Sequence, residues 1–185
     1  MRKKSVSLIY HLLIYICVFY IGALSVHGQL SEFGVLKKPS EPKEVVRTHG
    51  VLSVDKVQPG SIFQVAIVME FDKGWHANAN PAGQDLIPTE VALPENTDLK
   101  FGEVIYPKGE ELEIASIGKA PVYHDQALIG VQATVSETAQ IQNTNLPFKL
   151  TYQACSDEQC LLPKTVNIDI PMEIVGNDQP VQPIN

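Results

Sequence analysis

The sequence predicts an all-β chain, an antiparallel β-sandwich, and three observations carry that expectation. About seven or eight short stretches alternate apolar and polar residues with the period of two that marks a half-buried strand. They recur at regular spacing between clusters of Gly, Pro, Asn and Asp, the residues that turn a chain. No segment sustains a helical period, and no internal repeat is present. Short, evenly spaced strands without intervening helices bury their apolar faces by stacking two antiparallel sheets.

Met1 to Gly28 reads as an export signal. Arg2, Lys3 and Lys4 open it, an apolar run follows from about Val6 to Val26, and Val26-His27-Gly28 precedes a cut at Gln29. The run is long for a signal and holds no Asp, Glu, Lys or Arg, so an uncleaved single anchor stands as the alternative. Cys17 lies inside this run without the small preceding residue of a lipoprotein cleavage site and is assigned no function. Residues 29–43, with Lys37-Lys38-Pro39-Ser40-Glu41-Pro42-Lys43, form an extended lead-in. The sandwich domain is expected over 44–176 and a flexible polar tail over 177–185.

Within the domain, Val45–Val57 has strand character and Gln58-Pro59-Gly60-Ser61 turns the chain. Phe63, Val65, Ile67, Met69 and Phe71 then give the clearest strand, closed by Asp72-Lys73-Gly74. Residues 75–83 read as a loop, with Trp75 packed at the sandwich edge and His76 a surface or hydrogen-bonded structural histidine. Thr89–Leu93 and Leu99–Tyr106 are strands bounded by proline, and Glu110, Glu111 and Glu113 form a solvated face near the next turn. Ile129–Val135 is a strand. Phe148–Ala154 and Val166–Ile170 are two more, flanking the cysteines.

Composition bounds the function. With the three basic residues of the signal removed, eleven Lys and Arg face twenty-one Asp and Glu, a net charge of −10. Such a domain is a poor nucleic-acid binder. About 157 residues remain after position 28, one domain, enough to build a core without a staple. Two cysteines remain, Cys155 and Cys160, a pair with no odd thiol that suits an oxidising compartment. No G-x-S-x-G, H-E-x-x-H or phosphate loop is present.

The two cysteines flank Ser156-Asp157-Glu158-Gln159, and the hairpin places them opposite each other within disulfide reach. The bond closes a ring of about six residues, for which chain entropy gives roughly 2 kcal/mol, and it joins strands already paired. As a staple it is poorly placed; as a reversible two-electron switch it is well placed, since opening it leaves the fold standing. A small structural disulfide remains the alternative.

The segment YQACSDEQCLLPKT, Tyr152 to Thr165, resembles the cysteine hairpin of the amino-terminal periplasmic domain of DsbD-type thiol:disulfide interchange proteins. The likeness extends to Gly74-Trp75-His76 with Leu86-Ile87-Pro88-Thr89, and to Gly118-Lys119 with Val122-Tyr123-His124-Asp125, and covers about residues 45–175. It implies an immunoglobulin-like β-sandwich that passes electrons by thiol–disulfide exchange to oxidised partners outside the cytoplasm. The resemblance gives Cys160 the mixed disulfide with the partner and Cys155 the resolving role. It also implies a shielding loop over the disulfide, matched here by about Glu113–Pro121. Ser116 and Ile117 stand where aromatic side chains are expected, leaving Ile117 as an apolar plug with Tyr123 near it in sequence. The apolar Leu161-Leu162-Pro163 beside Cys160 offers a docking surface, and His124 and Lys164 are the counterweights to Asp157 and Glu158, which disfavour a thiolate. The chain lacks a Cys-X-X-Cys and an apolar span after residue 28, so the electron donor is expected to be a separate membrane protein and the partners thioredoxin-like or other thiol–disulfide exchange proteins. No cofactor and no metal is expected.

Two other functions compete. An exported immunoglobulin-like binding or scaffold domain would carry an inert Cys155–Cys160 bond of strongly reducing potential. A metal carrier would gather Cys155, Cys160, His76 and His124, but lacks the histidine that follows the cysteine in a blue-copper site.

Overall fold

The computed structural model describes residues 44–184 except 84, 96–97 and 115–117. The expected signal, Cys17 and the lead-in segment therefore lie outside the described residues. Every regular element among those described is a strand: β1 (Val46–Leu52), β2 (Ile62–Phe71), β3 (His76–Asn78), β4 (Glu90–Ala92), β5 (Leu99–Ile105), β6 (Glu110–Ile114), β7 (Gly118–His124), β8 (Gln126–Val135), β9 (Gln142–Tyr152), β10 (Ala154–Cys155) and β11 (Lys164–Ile174). They form three antiparallel sheets, in the orders β1-β2-β8-β5, β10-β3-β7-β6 and β11-β9-β4.

The long strands form where large apolar residues alternate. Phe63, Val65, Ile67, Met69 and Phe71 of β2 and Ala127, Ile129, Val131, Ala133 and Val135 of β8 are all buried. So are Leu146, Phe148, Leu150 and Tyr152 of β9 and Ile168, Ile170, Met172 and Ile174 of β11, and all belong to one core. Phe101 of β5 meets Phe148 of β9 edge to face, ring centres 5.6 Å apart, which ties the two sheets across that core. Gly50 in β1 permits another close approach, since a Cβ there would collide with the Ile170 side chain of β11. The architecture is the expected immunoglobulin-like antiparallel sandwich.

Boundaries and count differ from expectation in particular places. β1 ends at Leu52, and Val54 and Val57 continue only as isolated bridges to Pro183 and Ile174. Residues 75–83, expected as loop, contain β3, and the acidic stretch expected as a solvated face contains β6. Glu113–Pro121, matched to a shielding loop, supplies the end of β6 and the start of β7, paired from Ile114↔Gly118 to Glu110↔Val122. Pro121 is tolerated inside β7 because its carbonyl accepts from Ala79 N–H at 2.9 Å on the side where β3 has already ended. The closing segment is tied back to the domain: Asp55 N–H donates to Gln182 O at 3.0 Å and Ile184 N–H to Ser53 O at 2.9 Å.

The sheet of β3, β6, β7 and β10 positions the cysteines, and its two faces are unlike. Ala77, Ala79, Tyr123 and Ala154 point into the common core. Their neighbours His76, Asn78, Val122 and Cys155 are buried too, on the other face. The loop after β3 covers that face: Asn78 Nδ2 donates to Ile87 O at 2.9 Å, Asn80 Nδ2 to Thr89 O at 2.9 Å, and Thr89 Oγ1 to Asn78 O at 2.6 Å.

Candidate functional site

β9 and β11 pair from Gln142↔Ile174 to Tyr152↔Lys164, and the cysteines lie in the connection between them. The expected strand does not run unbroken to Ala154. Tyr152 is the last residue paired with β11; beyond Gln153 the chain changes sheets, pairing Ala154 with Ala77 and Cys155 with His76. The reason is packing on two sides: Ala154 enters the core, which leaves the next residue facing away from it. Gln153 Nε2 donates to Leu161 O at 3.0 Å and Leu161 N–H to Ala154 O at 2.8 Å, so the returning chain is hydrogen-bonded to the outgoing one.

A tight turn joins the cysteines. Ser156 N–H donates to Gln159 O at 2.7 Å, while Ser156 Oγ accepts from Glu158 N–H and Gln159 N–H, both at 3.3 Å. Cys155 and Cys160 oppose each other as an antiparallel bridge with Cα atoms 4.0 Å apart, and their sulfurs are bonded. The two are exposed very differently. Cys155 is 6% exposed, whereas Cys160 and the turn residues Asp157, Glu158 and Gln159 lie open to solvent. Beyond Cys160, Leu161 packs partly against the core and Leu162 is 88% exposed.

Register sets a row of side chains across the sheet: Cys155 beside His76, and His76 beside His124. His76 is buried at 4% exposure, and its Nε2 has no hydrogen-bond partner among the described residues. Burial holds its pKa below the ordinary histidine value; Asp157 opposes that and His124 adds to it. His124 is the converse case. Its Nε2 lies 3.0 Å from Glu110 Oε2 and its Nδ1 3.0 Å from Asp125 Oδ2, and these hydrogen bonds raise its pKa.

The other sequence-selected residues are distributed around this row. Tyr123 is buried on the core face, with its hydroxyl donating to Pro107 O and accepting from Asn80 N–H, each at 3.0 Å. It therefore faces away from Cys155. His124 shares the face of Cys155, with β3 between them. Ile117 lies outside the described residues. Lys164 sits 5.4 Å over the Tyr152 ring and 3.6 Å from Glu44, so its charge is shared before it can serve a thiolate. Trp75 packs against the core from a partly buried position, as expected. No group of three or more metal-ligating side chains gathers among the described residues. The residue that sequence reasoning set aside is His76. It entered only through the Gly74-Trp75-His76 stretch and the competing metal-carrier reading, because a three-residue strand of His, Ala and Asn carries no apolar alternation.

Chemically, a disulfide between an exposed cysteine and a buried one can accept an attacking thiolate at the exposed residue and keep the other in place. Comparison with known proteins gives the family. A sequence model of the N-terminal region of the thiol:disulfide interchange protein DsbD matches residues 48–171, from β1 to β11. Nothing among curated protein sequences matches the chain. Among solved structures, the reduced DsbD N-terminal domain of Neisseria meningitidis is 16% identical, with 78% of this chain and 94% of that one covered and a TM-score of 0.45. The N-terminal periplasmic domain of ScsB from Proteus mirabilis is 15% identical, covering 73% of this chain and 49% of that one, with a TM-score of 0.48. The complex of the DsbD and PilB N-terminal domains from Neisseria meningitidis is 22% identical over 65% of this chain and 80% of that one, with a TM-score of 0.37. The assignment rests on the sequence match, which spans every strand that builds the cysteine site: the chain belongs to the family of the N-terminal domain of thiol:disulfide interchange protein DsbD.

Proposed function

We propose that this protein is an exported thiol–disulfide interchange module that relays two electrons to partner proteins through Cys155 and Cys160. In the reduced module, the Cys160 thiolate attacks a partner disulfide, forming a mixed disulfide and releasing one partner thiolate. Cys155 then attacks the Cys160 sulfur, closing the internal bond and expelling the second partner thiolate. The module loses two electrons and two protons; the partner gains them. Partners are thioredoxin-like or other thiol–disulfide exchange proteins, and reduction of the module falls to a separate donor.

The observation that carries this reading is the opposite exposure of the bonded pair, Cys155 covered and Cys160 open beside an exposed Leu162. A partner's sulfur reaches Cys160 without displacing a strand, while Cys155 waits behind it. Leu161 and Leu162 offer the apolar rim against which a partner docks. The apolar start of the chain supplies export to the periplasm, with Met1–Gly28 either cleaved or kept as an anchor.

Trapping tests the roles. Cys155→Ser is expected to accumulate a mixed disulfide on Cys160, visible on non-reducing gels, because no thiol remains to resolve it. Cys160→Ser is expected to accumulate little. Equal trapping by both variants removes the assigned roles, and trapping by neither favours an inert structural disulfide.

A further inference from the structure

We propose that His76 is the proton acceptor for the Cys155 thiol in the step that closes the internal disulfide. The proposal rests on the redox reading above and deepens it. Its ground is the sheet register, which sets His76 directly opposite Cys155 on the same face of one sheet. Both residues are buried, His76 at 4% and Cys155 at 6% exposure. A buried imidazole normally finds a hydrogen-bond partner, yet His76 Nε2 has none among the described residues while the sulfurs are joined. Reduction creates a new polar group on the residue paired with it, the Cys155 S–H.

The surroundings keep the ring able to accept. Burial favours neutral imidazole, and His124, the next residue along the row, whose own pKa is raised by its hydrogen bonds to Glu110 and Asp125, acts in the same direction. Asp157, on the turn between the cysteines, is the anion that steadies His76 once it is protonated. Among the described residues, Cys155 on β10 and His124 on β7 flank it in register, Glu110 on β6 holds His124, and Asp157 and His124 are the charges that act on it. In the mixed disulfide, the Cys155 S–H proton passes to His76 and the thiolate attacks Cys160. The Cys155–Cys160 bond forms, the bond to the partner breaks, and the departing thiolate carries away the electron pair. The proton on His76 returns to solvent.

The test uses the reduced full-length protein and 5,5′-dithiobis(2-nitrobenzoate) as the oxidant, followed by stopped-flow absorbance. The exposed Cys160 releases the first nitrothiobenzoate in a concentration-dependent phase, and attack by Cys155 releases the second in a concentration-independent phase. His76→Gln is expected to slow only the second phase, by about tenfold at pH 7, within the roughly thirtyfold limit that full ionisation of a thiol of pKa about 8.5 allows. In the variant that phase climbs about thirtyfold with pH through the thiol range, whereas in the unsubstituted protein it climbs only about threefold. An unchanged second phase, or slowing confined to the first, overturns the proposal while leaving the redox reading intact. Absence of a second release in the unsubstituted protein overturns both. Should His76→Gln fail to fold, imidazole titration by NMR in the unsubstituted protein decides: the His76 pKa is expected to rise on reduction, as a thiol able to ionise appears beside it, and an identical titration in both redox states overturns the proposal.

Discussion

Reduction of the Cys155–Cys160 bond is expected to lower the stability of the domain by about 2 kcal/mol or less. The bond closes a ring from residue 155 to 160, the short end of the loop-entropy scale, so the unfolded chain gains little freedom when it opens. The folded side loses little as well. β9 and β11 remain paired over their full length, and Cys155 is not part of the common core. The turn keeps its own hydrogen bonds, Ser156 N–H to Gln159 O and Leu161 N–H to Ala154 O, neither of which depends on sulfur. The assay is equilibrium denaturation of oxidised and reduced protein, with a lowered midpoint and an unchanged slope as the expected outcome. A loss of about 4 kcal/mol or more, or unfolding on reduction, would show that the disulfide carries the fold and would refute the switch reasoning.

Two further outcomes follow from the geometry around the site. Tyr123→Phe removes the hydroxyl shared by Asn80 N–H and Pro107 O, and is expected to cost about 1–3 kcal/mol of stability in thermal or denaturant unfolding; a change inside about 0.5 kcal/mol would refute the hydroxyl's structural role. His124, held by Glu110 and Asp125, has its folded pKa raised, so it contributes stability that is fully present below the unfolded value of 6.5 and is lost as pH rises through the folded value. Glu110→Gln is expected to lower the His124 pKa in an NMR titration and to flatten this pH dependence; an unmoved titration would remove the ion pair from the account.

The parts of the fold that sequence made legible are those whose core side chains are large. β2, β8, β9 and β11 place Phe, Ile, Val, Leu and Met at every second position, and period alone finds them. The sheet that builds the site was hidden for the opposite reason. The core face of β3 and β10 is made of Ala77 and Ala154, too small to stand out, and their other face carries His76 and Cys155, whose burial no apolar alternation announces. Glu110, Glu111 and Glu113 mark β6 as a charged edge strand, which suppresses pairing with other chains and in sequence looks like any solvated turn. The disulfide was legible from its hairpin spacing. The histidine beside it was not, because its position depends on a change of sheet at Gln153 that no local pattern announces.

That change of sheet also bears on reversibility. Had β9 continued along β11, the first cysteine would be held only by the hairpin, and reduction would free the whole turn. Instead Ala154 is locked into the core at 3% exposure and its carbonyl holds Leu161 N–H, one residue past Cys160. Both thiols are therefore fixed by neighbours that do not take part in the chemistry. After reduction the two sulfurs stay within reach of each other, so the closing attack is intramolecular and its entropic cost is already met by folding. A bond whose partners the backbone holds together regardless of its state adds little to stability, and for the same reason it can open and close repeatedly without loss of structure.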